Sequence, residues 1–133
     1  FADEAALEAH LFGPRPYAEV LIALVGSEPA GFALFFHNYS TFLTKPGIYL
    51  EDLFVVPERR GLGLGRRLLA ALAALAVERG CGRLEWSALK WNAPAIGFYE
   101  RLGALPLEEW QVYRLTGEAL RALAAGTAEP GGA

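Results

Sequence analysis

PERRGLGLGRRLL, residues 57–69, is the stretch from which the rest of this chain can be read. It follows an apolar run of strand character, Leu50 to Val56. It leads into a segment from about Leu64 to Arg79 whose Leu68, Leu72, Leu75 and Ala76 fall on one helical face. Gly61, Gly63 and Gly65 therefore stand where a helix is starting, each at a cost of roughly 1 kcal/mol relative to alanine if helical. Alternating glycines let a backbone come close to a ligand and expose successive N–H groups, and the helix start beyond them adds about half a positive charge. Arg59, Arg60, Arg66 and Arg67 put four of the 12 basic residues into this one turn of a chain whose net charge is -3. The combination points to a site for a di- or triphosphorylated cofactor; the plain alternative is a solvated connection whose arginines serve solubility. Two other phosphate loops are excluded. The turn lacks the Gly-Lys-Ser/Thr ending of a P-loop, and Arg66 follows where a dinucleotide fingerprint needs its third glycine.

Upstream, Ala2 to Phe12 sets Ala6, Leu7, His10 and Leu11 on one side and stops at Gly13-Pro14, which predicts a short amphipathic helix. Tyr17 to Val25 and Gly31 to His37 are rich in β-branched and aromatic residues around a Ser27-Glu28-Pro29 turn, so they predict a hairpin. Ser40 to Gly47 breaks that pattern before a third strand, Ile48 to Val56. Downstream, Gly80-Cys81-Gly82 ends the long helix and Arg83 to Leu89 reads as a strand. Asn92 is placed to cap a helix running to about Leu102. A strand near Trp110 to Leu115 and a last helix from Glu118 to Ala125 complete the chain. Strands that first pair locally and later alternate with helices predict an α/β fold, a mixed sheet with helices packed on it.

The 133 residues are about one domain's worth, and a content of 53% hydrophobic and 20% charged residues excludes intrinsic disorder. Residues 1–133 are thus expected to form a single domain. Fifteen acidic residues against 12 basic ones give the wrong sign for a nucleic-acid binder and suit a cationic substrate. Arginines without interleaved aromatics point away from nucleic acid as well. The single cysteine, Cys81, rules out an internal disulfide and a cysteine-based metal cluster. No apolar run approaches the ~20 residues of a membrane span. A cytoplasmic protein with neither metal, nucleic acid nor membrane as partner is the expectation.

Alternation along Leu50–Val56 sends Glu51, Leu53 and Val55 to one face and Asp52, Phe54 and Val56 to the other. A strand so apolar is expected to be central, with at least one of the two acids in a cleft and poised as a base; an acid solvated at a strand end is the equal alternative. Tyr99 lies beside Ala95, Phe98 and Leu102 on its helix, a pattern that by itself favours a core aromatic with its hydroxyl at the boundary.

Arg60-x-x-Gly63-x-Gly65, between a strand and a helix, resembles the pyrophosphate loop of the GNAT N-acetyltransferases. YLEDLFVVPERRGLGLG (residues 49–65) and KWNAPAIGFYERLGA (residues 90–104) further resemble the diamine (spermidine/spermine) acetyltransferase branch, with similarity from about Leu7 to Leu120. The resemblance implies the GNAT fold, a mixed, mostly antiparallel sheet flanked by helices. Because the chain opens on Phe1 and contains no methionine, that fold's first strand and helix are expected to be missing from it. The activity implied is transfer of an acetyl group from acetyl-CoA to a small-molecule primary amine, by direct attack in a ternary complex. Glu51 is then the base toward the amine, directly or through water, and Tyr99 the acid toward the departing thiolate. Acetyl-CoA contacts would fall to Leu53, Phe54, Val55, Arg60, Gly61, Leu62, Gly63, Leu64, Gly65, Arg66, Asn92 and Ala95, with backbone N–H groups around Leu53 to Val55 freed by a local strand distortion. Glu51, Asp52 and Trp86 would meet the amine, although Trp86, like Tyr39, Phe42 and Trp110, reads equally well as core.

Polyamine-acetylating members carry acids where this chain has Ser40, after Tyr39, and Lys90, before Trp91-Asn92, so a polyamine and a lysine-like amine both stay open. A homodimer is implied, with the C-terminal strand and helix as candidate contacts. A non-catalytic acyl-CoA sensor and an acetyltransferase of protein amines are the alternatives.

Overall fold

Residues 3–126 are described in the computed structural model. Phe1–Leu89 and Lys90–Ala133 form two units. The first holds helix α1 (Glu4–Phe12), strands β1 (Glu19–Val25), β2 (Glu28–Ser40) and β3 (Lys45–Val55), a single 3-10 turn (Pro57–Arg59), helix α2 (Leu64–Glu78) and strand β4 (Leu84–Trp86). The second holds helices α3 (Ala93–Arg101) and α4 (Gly117–Ala124). No helix among the described residues is long and apolar enough to cross a membrane.

The sheet runs in the order β1-β2-β3-β4, antiparallel except for the parallel pair β3–β4. The predicted hairpin forms, and the third strand folds back on β2 as a second antiparallel pair. The first turns at Gly26, which takes a φ of 64°, and Glu28 and Pro29 already belong to β2. β3 is central, as its apolar composition demands, but β4 is much shorter than Arg83–Leu89 and pairs only with Ile48, Tyr49 and Leu50.

One irregularity reorganises β3. Phe35 pairs with Leu50 and Leu34 with Asp52, so Glu51 is an extra residue with no partner across the ladder. This is a β-bulge. Buried Ala33 and Phe35 of β2 consequently meet Leu53 and Leu50, three positions apart in β3. Leu34 and Phe32, on the other side, meet Asp52 and Phe54. The expected alternation of Glu51 with Leu53 and Val55 is therefore corrected: it holds only from Asp52 onward.

Helix α2 packs on the Ala33/Phe35 face through Leu64, Leu68, Leu69, Leu72 and Ala76, mainly against β3 and β2. Leu72, Phe35 and Ile48 are the largest fully buried side chains. A leucine so placed contributes roughly 1.5–3 kcal/mol. The helix ends where Gly80 turns into the left-handed region with a φ of 72°, letting Cys81 N–H bond back to the Ala76 carbonyl at 2.8 Å. Helix α1, capped by Asp3 accepting from Ala6 N–H at 3.1 Å, buries none of its residues fully, and its Phe12 is exposed. Its few apolar side chains make too narrow a stripe for the amphipathic packing expected of it.

An ion pair ties the end of α2 to the sheet. Arg79 Nη1 and Nη2 each donate to a Glu19 oxygen at 2.8 Å, and Nη1 lies 3.2 Å from His37 Nε2. The Arg79 guanidinium bonded to it holds the Glu19 carboxyl below its ordinary value of 4.5. A depressed acid contributes stability that is whole above that ordinary value and fades as pH falls through the lower folded value. Glu19→Gln should therefore lower unfolding free energy at pH 7 by about 0.2–1 kcal/mol, the range for solvent-screened pairs. Chemical denaturation from pH 7 to pH 3 is the check: the gap from the parent should close below about pH 4.5. A gap constant over that range would contradict the pairing.

In the second unit α3 and α4 form close to their expected limits. The strand expected over Trp110–Leu115 does not. Those residues carry no ladder and lie exposed, Val112 and Tyr113 at 84% and 88%. β-branched and aromatic residues favour a strand only when a neighbouring strand accepts them, and among the described residues none pairs with this segment.

Candidate functional site

The glycine turn has the backbone that its sequence anticipates. Gly61 and Gly63 both take a φ of 81°, in the left-handed region where a side chain is strained. Gly63 is also the N-cap of α2 and offers no side-chain oxygen to the helix's first N–H groups. The amides opening α2, at Leu64 to Arg66, are thus available to an anion. Buried Leu64 anchors the turn on the core, while Leu62, Arg66 and Arg67 are exposed. A Cβ added at Gly61, Gly63 or Gly65 would meet no protein atom within 4 Å. At Gly65, where φ is not positive, neither the protein's own packing nor backbone strain calls for glycine. An open turn with uncapped amides and flanking arginines fits the diphosphate of a coenzyme.

This contrast gives a paired prediction. Gly63→Ala should cost about 1–2 kcal/mol of stability through its left-handed φ and also misaim the helix amides, weakening coenzyme binding. Gly65→Ala should instead raise stability, by up to about 1 kcal/mol. Thermal melts without and with acetyl-CoA measure both, and equal destabilisation by the two changes would contradict the distinction.

The strand next to this turn carries the two acids. Glu51 at the bulge and Asp52 beside it are both exposed, so neither occupies the cleft that the apolar strand suggested; the bulge turns Glu51 out of the regular ladder. Beyond Leu50 the β4 side of β3 has no ladder among the described residues, because β4 stops at Trp86. The expected strand distortion is present, and it lies at Glu51, ahead of Leu53–Val55. Leu53 and Val55 are half-buried and Phe54 is 39% exposed.

Two side chains close this end of the strand. Arg60 Nε donates to the Val55 carbonyl at 2.8 Å, with its guanidinium carbon 5.5 Å from the centre of the Phe54 ring. Tyr49 stacks on Phe36 with ring centres 5.3 Å apart, and its hydroxyl bonds the Ser87 hydroxyl. Neither contact has a signal in local sequence spacing. Trp86 is half-buried on β4, opposite Leu50. Tyr39, Phe42 and Trp110 are 57%, 95% and 78% exposed, so none of the three is core.

The remaining candidates stand in the second unit. Asn92 caps α3, its Oδ1 accepting from Ala95 N–H at 3.5 Å. Ala95 and Tyr99 are half-buried on that helix, and the Tyr99 ring lies 5.8 Å from that of Phe98.

Comparison with known proteins gives these geometries a setting. A sequence profile of the Acetyltransferase (GNAT) family matches residues 2–104. The L-ornithine N5-acetyltransferase of Arabidopsis thaliana is 51% identical over 94 residues, which cover 71% of this chain and 41% of that protein. The thialysine N-epsilon-acetyltransferase of Bos taurus is 39% identical over 132 residues, 91% of this chain and 77% of its own. Among solved structures, an integron cassette protein from the mobile metagenome of V. cholerae matches with a TM-score of 0.79 at 32% identity, over 92% of this chain and 78% of that one. The chain thus spans less than half of the plant relative's length.

Proposed function

Because the chain belongs to the acetyltransferase (GNAT) family, in its diamine acetyltransferase branch, we propose that it transfers the acetyl group of acetyl-CoA to a primary amine of a small cationic molecule. The observation that carries this reading is the uncapped glycine turn, with its arginines, directly following a strand whose bulge sets Glu51 outside the ladder. A lysine-like diamino acid is the substrate class preferred, since Ser40 and Lys90 stand where polyamine-acetylating relatives carry acids. The two relatives named for ornithine and thialysine support that choice.

Bound acetyl-CoA supplies the activated acetyl thioester. Arg60, Arg66 and the amides from Gly61 to Arg66 would hold its diphosphate, and Asn92 and Ala95 would meet its arm. An alkylammonium with a pKa near ~10.4 must lose a proton before it can attack. Glu51 takes that proton, directly or through water, and Asp52 attracts the cationic amine beside the half-buried Trp86. The backbone of β3 between Leu53 and Val55 offers N–H donors along an edge that no strand among the described residues covers. Tyr99 would supply a proton to the departing sulfur. The family profile runs across both units, which supports treating the chain as one acetyltransferase domain. A homodimer working in the cytoplasm completes the proposal.

Thiol release from acetyl-CoA tests it against ornithine, thialysine, lysine, spermidine and a lysine-bearing peptide. Turnover with the diamino acids is the expected result. Saturable acetyl-CoA binding without thiol release for any amine would overturn the reading in favour of a sensor, and turnover confined to the peptide would move the substrate to proteins.

A further inference from the structure

Arg60 sits at the seam between β3 and the glycine turn, and its guanidinium is divided between two tasks. Nε is committed to the Val55 carbonyl at 2.8 Å. The guanidinium carbon lies over Phe54, 5.5 Å from the ring centre, and that ring in turn packs on Phe32 with centres 5.8 Å apart. The Nη groups make no hydrogen bond or ion pair among the described residues, and the side chain is exposed. A guanidinium is a rigid fork of five donors. The Nε bond and the neighbouring ring set the direction in which its Nη groups point. The backbone it grips is the end of a strand that pairs with β4 only up to Leu50, so among the described residues no ladder on that side holds residues 51–55 in place.

We propose that Arg60 is a positioning residue for acyl transfer: by tethering Val55 it fixes the free edge of β3, from the Glu51 bulge onward, against the coenzyme turn. This role is separate from any charge the Nη groups lend to a diphosphate. It rests on the acetyl-CoA reading above, and it makes Arg60 act through the strand and not only on the coenzyme. Small displacements of reacting groups cost rate steeply, by as much as about 10²-fold for about 1 Å, and a lysine cannot reproduce both halves of the fork.

The test uses two acetyl donors, acetyl-CoA and acetyl-pantetheine, the second lacking the diphosphate, with the parent chain, Arg60→Lys and Arg60→Gln. Both variants should lose kcat by about tenfold with either donor, a loss that a pure diphosphate ligand would not produce. Arg60→Gln should in addition raise the KM for acetyl-CoA. Loss confined to the KM for acetyl-CoA and vanishing with acetyl-pantetheine would overturn the proposal. Amide hydrogen exchange without any donor gives a second readout: Leu53–Val55 should exchange faster in both variants, and unchanged rates would also overturn it. If the parent transfers acetyl from neither donor, the acetyltransferase reading falls, while the exchange data still decide the tether.

Discussion

Tyr99→Phe is expected to lower turnover by about 10²–10⁴-fold, the usual contribution of a positioned general acid, with the dissociation constant for acetyl-CoA held within about twofold. The change removes one oxygen and keeps the ring that lies against Phe98. The α3 C-terminus is closed by the Tyr99 backbone carbonyl, which accepts from Leu102 N–H at 3.1 Å and from Ala104 N–H at 3.2 Å. The substitution leaves those backbone bonds intact, and a thermal melt of the variant measures its effect on folding. Steady-state kinetics and isothermal titration with acetyl-CoA separate the two quantities. A loss of affinity equal to the loss of turnover would make Tyr99 a packing residue, and unchanged turnover would remove it from the chemistry.

Glu51→Gln should lower kcat/KM for the amine by a similar factor, about 10²–10⁴. The glutamine is nearly isosteric and the position exposed, so stability should stay within about 0.5 kcal/mol. The loss should also shrink as pH rises toward the amine's own pKa near ~10.4, because the amine then arrives with its proton already gone. A deficit that is flat in pH would argue against a base. Asp52→Asn is the matched control, one residue further along the same strand. It removes a charge with no proton to accept, and should mainly raise the KM for the amine, by about tenfold, the low end for a charge-assisted contact at an exposed site. If Asp52→Asn damaged kcat as deeply as Glu51→Gln, the roles assigned to the two acids would be wrong.

The parts of this protein that could be read from residues alone are those whose cause is local. The α2 stripe buries Leu68, Leu72 and Ala76 because helical period and apolar spacing coincide. Gly61 and Gly63 have positive φ because no other residue takes it at low cost. Asn92 caps α3 because its side chain reaches back over one turn. The bulge is only half legible: Leu50-Glu51-Asp52-Leu53 breaks the strict alternation by setting two acids side by side between leucines three apart, but which residue is extra is identified only by pairing with β2. The Trp110–Leu115 segment has strand propensity, yet a strand exists through its neighbour. The bond from Arg60 to Val55 is likewise a matter of how the turn folds back, and it gives an arginine expected only to face phosphate a second partner.

The unpaired position in β3 has an unusual arithmetic. Excising Glu51 would leave Leu50 opposite Phe35 and Asp52 opposite Leu34, the contacts they already make, now in an unbroken ladder with Leu53 still turned toward the helix. The pairs that β2 makes on either side of the bulge do not involve Glu51. A residue that no cross-strand partner holds keeps its carboxylate open to solvent, which is what the Glu51→Gln and Asp52→Asn comparison interrogates.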